Sequence, residues 1–149
     1  MNRTAPMSSF RLTCSWSGRV RYEVQSDPFH AVKCHCRDCQ MISGSGYLPL
    51  LWYKAGQIKI DDSKLKYFAR TSDGETTVRH GFCEACSSPV LVKPTFDEMD
   101  VVFLVATTLD NPSIFTPRAE IWVSSAQHWG CLDESIEQVS TQRTGKLAR

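Results

Sequence analysis

The sequence contains neither a long apolar run nor a run of charges of one sign. Its longest apolar stretch, Val101 to Ala106, covers six residues, whereas a helix that spans a bilayer needs about 20. Basic and acidic residues number 17 and 16, for a net charge of +1, and an extended phosphate-binding face requires a clustered basic excess. We therefore expect a soluble protein whose partners include neither a membrane nor nucleic acid.

The start of the chain and the cysteine count also exclude some classes. Met1 to Arg11 contains no apolar segment of the kind that directs secretion. The chain has seven cysteines, and an odd count does not fit a closed disulfide framework. We therefore expect a cytoplasmic protein. In that reducing compartment clustered cysteines more often mark metal or redox sites.

The cysteines that are present fall into two short motifs. Cys34, Cys36 and Cys39 form a Cys-x-Cys-x-x-Cys run, and Cys83 and Cys86 form a later Cys-x-x-Cys pair. Several cysteine sulfurs on one tight turn can bind zinc without ligands from distant parts of the chain. The later pair lacks the βαβ surroundings of a thioredoxin-like redox motif. The first motif predicts a zinc whose fourth coordination position is open unless a distant residue fills it.

Strand signals dominate the rest of the chain, with β-branched and aromatic residues in short runs between Gly, Pro and Asp. The only helical segment that we predict is short, Cys39 to Ile42. A length of 149 residues suggests one domain, which we place at residues 10–129 between an N-terminal extension, 1–9, and a polar C-terminal extension, 130–149. The predicted strands are Arg19 to Val24, Tyr47 to Tyr53, Gln57 to Ile60, Leu65 to Arg70, Thr76 to His80, Pro89 to Val92, Met99 to Ala106 and Ala119 to Val123.

Five segments in order resemble the family of glutathione-dependent formaldehyde-activating enzymes, whose domain is shared with centromere protein V. The two cysteine-containing segments are the most specific. The resemblance implies a mainly β, single-domain, zinc-containing β-tent fold built from small antiparallel sheets. The matching segments are Gly18 to Val24, Cys34 to Ser45, Gly81 to Pro89, Thr108 to Pro112 and Ile121 to Val123.

The same resemblance implies a catalytic zinc held by Cys34, Cys36 and Cys39. A zinc with an open position could bind the thiol of glutathione and lower its pKa for reaction with formaldehyde or a related aldehyde. The implied activity is that of a carbon–sulfur lyase with a small-molecule thiol and an aldehyde as partners. Two alternatives stay open: a non-catalytic zinc-binding module, and a carrier of glutathione or formaldehyde.

In the family a second, structural zinc combines an early Cys-x-Cys with the later Cys-x-x-Cys. Cys83 and Cys86 match the later half, but the early pair falls on Ser15 and Ser17, with Cys14 one residue outside the frame. A local bulge could bring Cys14 to this metal. Otherwise Cys83 and Cys86 are thiols without a metal. In either case we expect them near Cys14 or near Ser15 and Ser17.

Polar and aromatic residues beside these motifs have two interpretations each. His35 is either a histidine that supports the metal loop or a ligand or proton carrier. Arg37 and Asp38 are both expected to form exposed ion pairs. Arg37 could instead bind a carboxylate of glutathione. Asp110 either starts a turn or acts as an acid. Trp122 is predicted to be an aromatic core residue of a strand.

Overall fold

The computed structural model describes residues 10–13, 16–71, 76–95 and 99–141. Within them the protein is a single, mainly β domain, as predicted, with one α-helix, α1 (Arg37–Ser43), and several single-turn 3-10 helices. The strands are β1 (Phe10–Thr13), β2 (Arg21–Val24), β3 (His30–Cys34), β4 (Leu48–Lys54), β5 (Ile58–Ile60), β6 (Leu65–Thr71), β7 (Thr77–Cys83), β8 (Pro89–Pro94), β9 (Val101–Val105), β10 (Ala119–Ile121) and β11 (Glu137–Val139).

The strands form two sheets. The smaller has the order β1-β2-β5, and the larger has the order β11-β10-β3-β4-β9-β8-β7-β6. Strand β10 runs parallel to both of its neighbours, β3 and β11, and the other pairings are antiparallel. The parallel pairing of β10 with β3 places Ile121 opposite Cys34, so that the end of β10 lies beside the first cysteine motif.

The larger sheet separates two hydrophobic clusters because alternate residues of a strand point to opposite faces. Leu50 and Trp52 belong to one cluster and Leu51 and Tyr53 to the other. The second cluster also contains the apolar residues of β2, so the smaller sheet covers that face. We call the other face the thiol face; its cluster includes Cys34, Cys39, Leu50, Trp52, Phe103 and Val105.

Helix α1 is short. A side chain caps its N-terminus, and a backbone conformation ends it at the C-terminus. Cys36 is its N-cap, and the Cys36 sulfur accepts a hydrogen bond from the backbone N–H of Cys39 at 3.4 Å. Gly44 ends the helix with φ +63°, a conformation that costs glycine little because it has no Cβ. The helix therefore begins earlier than Cys39, where the sequence predicted it, because the cysteine motif itself provides the cap.

All eight predicted strands are present, and three further strands were not predicted: β1, β3 and β11. Strand β11 lies in the segment predicted as a C-terminal extension and pairs with β10 at the edge of the larger sheet. The prediction that Trp122 lies in a strand was wrong. Strand β10 ends at Ile121, and Trp122 is in the left-handed region with φ 60°. None of the described helices is long and apolar enough to cross a membrane.

Candidate metal centre

The structure brings the three sulfurs of the first motif together on the thiol face. Cys34 ends β3, Cys36 caps α1, and Cys39 lies within the helix. Their Sγ atoms all lie within 4.8 Å of one another. Cys34 and Cys39 are buried and Cys36 is half-buried. A strand end and a helix start thus fix three thiols around one point.

The three thiols share protons in this arrangement. The pKa of Cys36 is strongly lowered because the Cys34 and Cys39 thiols donate hydrogen bonds to its sulfur. The pKa of Cys34 is raised by its hydrogen bond to Cys36 and by burial. The pKa of Cys39 is raised by its hydrogen bonds with Cys34 and Cys36 and by burial. The raised pKa values mean that Cys34 and Cys39 keep their protons near neutral pH when no metal is bound. A cation that binds all three sulfurs must therefore displace the protons of Cys34 and Cys39.

A buried carboxylate supports the loop between Cys34 and Cys36. Glu120 is fully buried, and its Oε2 accepts a hydrogen bond from His35 Nε2 at 3.1 Å. Because a carboxylate only accepts, this bond places the imidazole proton on Nε2. The other oxygen, Oε1, is in contact with the Lys33 ammonium and accepts from the Asp133 backbone N–H at 2.8 Å. Glu120 thus ties three chain segments together behind the cysteines.

Gln40 holds the opposite side of the loop. Its side-chain amide donates to the His35 carbonyl at 2.6 Å and to the Ser125 carbonyl at 2.9 Å. Its carbonyl oxygen accepts from Arg37 at 2.5 Å and from Gln127 at 3.1 Å. Buried polar networks with every group paired are rigid, so the loop has a defined position before any ligand binds.

This donor set fits a soft metal ion. Zinc binds cysteine sulfur in preference to hard oxygen ligands, and the lowered pKa of Cys36 favours the thiolate that a metal needs. Among the residues that the structure describes, this is the one group of three or more His, Cys, Asp or Glu side chains close enough to hold a metal. The three cysteines can therefore hold a metal ion.

The second cysteine motif lies on the opposite face of the larger sheet. Cys83 is fully buried in the cluster covered by the smaller sheet. Its sulfur lies 3.3 Å from Ser17 Oγ, and the Cys86 sulfur lies 3.2 Å from Ser88 Oγ. The predicted proximity of Cys83 to Ser17 is therefore confirmed. Cys14, also predicted as a ligand, lies outside the described residues.

The structure distinguishes between the interpretations of the residues beside the first motif. The His35 ring is directed to Glu120, as expected for a histidine that supports the loop. Arg37 bonds Gln40, and Asp38 forms an ion pair with Arg70 at 2.9 Å. Exposed Asp110 lies in the bend between Leu109 and a 3-10 helix, Pro112–Ile114.

Sequence reasoning missed Glu120 and Gln40, and it also missed His80. A signal for Glu120 was available, because a carboxylate between Ala119 and Ile121 is unusual in a strand buried on both sides. Gln40 gave no such signal. His80 occupies an ordinary alternating position in β7, and the charged groups that act on its ring come from other parts of the chain.

The fold and the three-thiol cluster define a mainly β protein with a site for a soft metal ion. Comparison with protein families gives a match to the model of the glutathione-dependent formaldehyde-activating enzymes over residues 10–125. The chain therefore belongs to this family. Among solved structures, a protein of Rhodobacter sphaeroides is similar with a TM-score of 0.54 and 16% identity, over 70% of this chain and 94% of the other. At this identity the likeness concerns the fold. No curated protein sequence matches the chain significantly.

Proposed function

We propose that this protein binds a thiol such as glutathione and promotes its condensation with formaldehyde or a related aldehyde. The reaction forms a carbon–sulfur bond, converts the carbonyl to a hydroxyl and moves the thiol proton to that oxygen, so no oxidant is needed. Its reverse is a carbon–sulfur lyase reaction. The observation that carries the proposal is the convergence of Cys34, Cys36 and Cys39, in a chain of this family.

The cofactor in this proposal is zinc, held by Cys34, Cys36 and Cys39. When bound, zinc would lower the pKa of a thiol at its remaining coordination position. The protein's own contribution is the position of the three sulfurs, which Glu120 and Gln40 fix from two sides. Pre-formed loops of this kind lower the cost of ordering when a ligand binds.

A second zinc at Cys83 and Cys86, with Cys14, stays a prediction. Ser17 Oγ lies beside Cys83 Sγ. The family pattern has a cysteine sulfur at the position of Ser17. A serine hydroxyl is protonated near neutral pH and is a poor ligand for zinc. We expect any metal at this place to be bound more weakly than the metal of the first cluster.

The compartment in this proposal is the cytoplasm. All six cysteines that the structure describes are free thiols. Thiol ligands and a thiol substrate both need reducing conditions to stay available. The partners that we propose are the small-molecule thiol and the aldehyde.

Calorimetric titration of zinc-loaded protein tests this proposal. Glutathione should bind clearly tighter than S-methylglutathione, which has the same charges but no thiol to deprotonate, and only glutathione should release a proton on binding. The proton is measured by repeating the titration in buffers of different ionisation enthalpy. Equal affinities without proton release would contradict recognition of the thiol and would favour the non-catalytic zinc-binding module.

A further inference from the structure

A single row of side chains crosses the thiol face from β3 to β6. Residues directly opposite one another in neighbouring strands lie on the same face of a sheet. Of the six members of this row, His80 and Trp52 carry ring nitrogens that are buried without a hydrogen-bond partner among the described residues. The row consists of His30, Trp52, Phe103, Val92, His80 and Phe68.

The described neighbours of His80 within the sheet do not form hydrogen bonds with its imidazole. The residue is only 7% exposed, and neither ring nitrogen has a partner in the described part of the chain. An unpaired buried polar group costs about 1–3 kcal/mol. Its opposite neighbour in β8 is the apolar residue Val92. Unpaired buried groups are rare in native proteins, and a bound ligand is one way in which they are completed.

Helix α1 lies over β6 on the side of His80, because Asp38 in its first turn forms an ion pair with Arg70 at 2.9 Å. Arg70 is two residues from Phe68, which lies opposite His80. The negative charges of Asp38 and Cys36 act on the imidazole and favour its protonated form, whereas Arg70 opposes it. Burial outweighs these charges and lowers the pKa of His80. The imidazole is therefore neutral near pH 7, with one nitrogen that donates and one that accepts.

The other polar side chains near the cysteine loop differ from His80 because they already have partners. His35, Glu120 and Gln40 already have partners, and Asp38 is engaged by Arg70. In the described part of the chain, by contrast, both ring nitrogens of His80 are buried and have no hydrogen-bond partner. Trp52 Nε1 is also unpaired, but its ring is stacked on Phe103 with 4.6 Å between centroids.

We propose that His80 is a catalytic residue of the Cys34, Cys36 and Cys39 site, whose ring N–H donates a hydrogen bond to the oxygen of the aldehyde. This inference rests on the proposed function. As the sulfur electron pair forms the carbon–sulfur bond, the π pair of the carbonyl moves to oxygen, which gains negative charge and then takes a proton. A fixed donor in a water-poor site stabilises that charge more than it stabilises the neutral carbonyl.

Two variants at one position test this role. His80→Leu removes both nitrogens, and His80→Gln keeps a donor and an acceptor. We expect His80→Leu to retain zinc, to unfold at an equal or higher temperature because no unpaired group is left, and to lose about a hundredfold in the rate of condensation at saturating formaldehyde. His80→Gln should recover part of that rate. His128→Leu, at an exposed histidine, is the matched control and should leave both measurements unchanged.

The outcomes separate this inference from the proposed function. An active wild type with an equally active His80→Leu variant would overturn the role of His80 alone. A His80→Leu variant that loses zinc and unfolds at a lower temperature would assign His80 to the fold, and this also overturns the inference. A wild type that binds glutathione through its thiol but does not accelerate condensation would overturn catalysis, and the role of His80 with it.

Discussion

Replacement of Cys36 by serine should remove the bound zinc and the thiol-dependent activity together. Cys36 contributes the sulfur to which both other thiols donate, so its loss leaves two protonated thiols and a hard oxygen. Serine is also a good N-cap, so helix α1 should persist and the effect should report on the sulfur alone. We expect zinc to fall from about one per chain at this site to near zero, as measured by elemental analysis.

The matched control is Cys131→Ser, which removes an exposed thiol outside both motifs. It should leave zinc content and activity at wild-type values. If Cys36→Ser keeps its full zinc content while its far-UV circular dichroism is unchanged, the metal lies elsewhere and the assignment to this cluster is wrong.

Replacement of Glu120 by leucine should give the largest loss of stability. Glu120 is fully buried and accepts from His35, from the Asp133 backbone and from the Lys33 ammonium. Removal of one partner of a buried ion pair costs about 3–5 kcal/mol because the other charge stays behind. Chemical denaturation should show this fall in the free energy of unfolding, and zinc should be bound more weakly because the His35 ring loses its anchor.

A second substitution distinguishes loss of a charge partner from loss of packing. Lys33→Met combined with Glu120→Leu leaves no unpaired charge, so the double variant should recover part of the lost stability. Glu134→Leu, at an exposed carboxylate, should change stability by no more than about 0.5 kcal/mol. A double variant as unstable as Glu120→Leu alone would show that the ion pair is not the reason for the effect.

The elements that the sequence predicted best are those with a local signal. Strand β9 consists only of Val, Phe and Leu, and β4 contains the run Leu50 to Tyr53 of Leu, Trp and Tyr. Burial of these runs on both faces of the sheet follows from that composition. The cysteine spacing likewise predicted three sulfurs at one point. Both patterns depend on near neighbours in the chain, which is why sequence reasoning could use them.

The elements that it missed depend on distant contacts. Strand β11 is short and polar and exists because β10 offers it an edge. Trp122 leaves the strand direction in a left-handed conformation that few residues other than glycine adopt, and nothing in the local sequence indicates it. The supporting partner of His35 lies 85 positions away at Glu120, and only the parallel pairing of β10 with β3 brings them together.

The rate of exchange between glutathione and its hydroxymethyl adduct, at equilibrium with formaldehyde, tests the central claim most directly. Magnetisation exchange in NMR measures this rate without a coupled reaction, and the uncatalysed rate is measured in the same buffer. Zinc-loaded wild-type protein should increase the rate in proportion to its concentration, and Cys36→Ser should add nothing. An exchange rate that is the same with and without zinc-loaded wild-type protein would contradict the account.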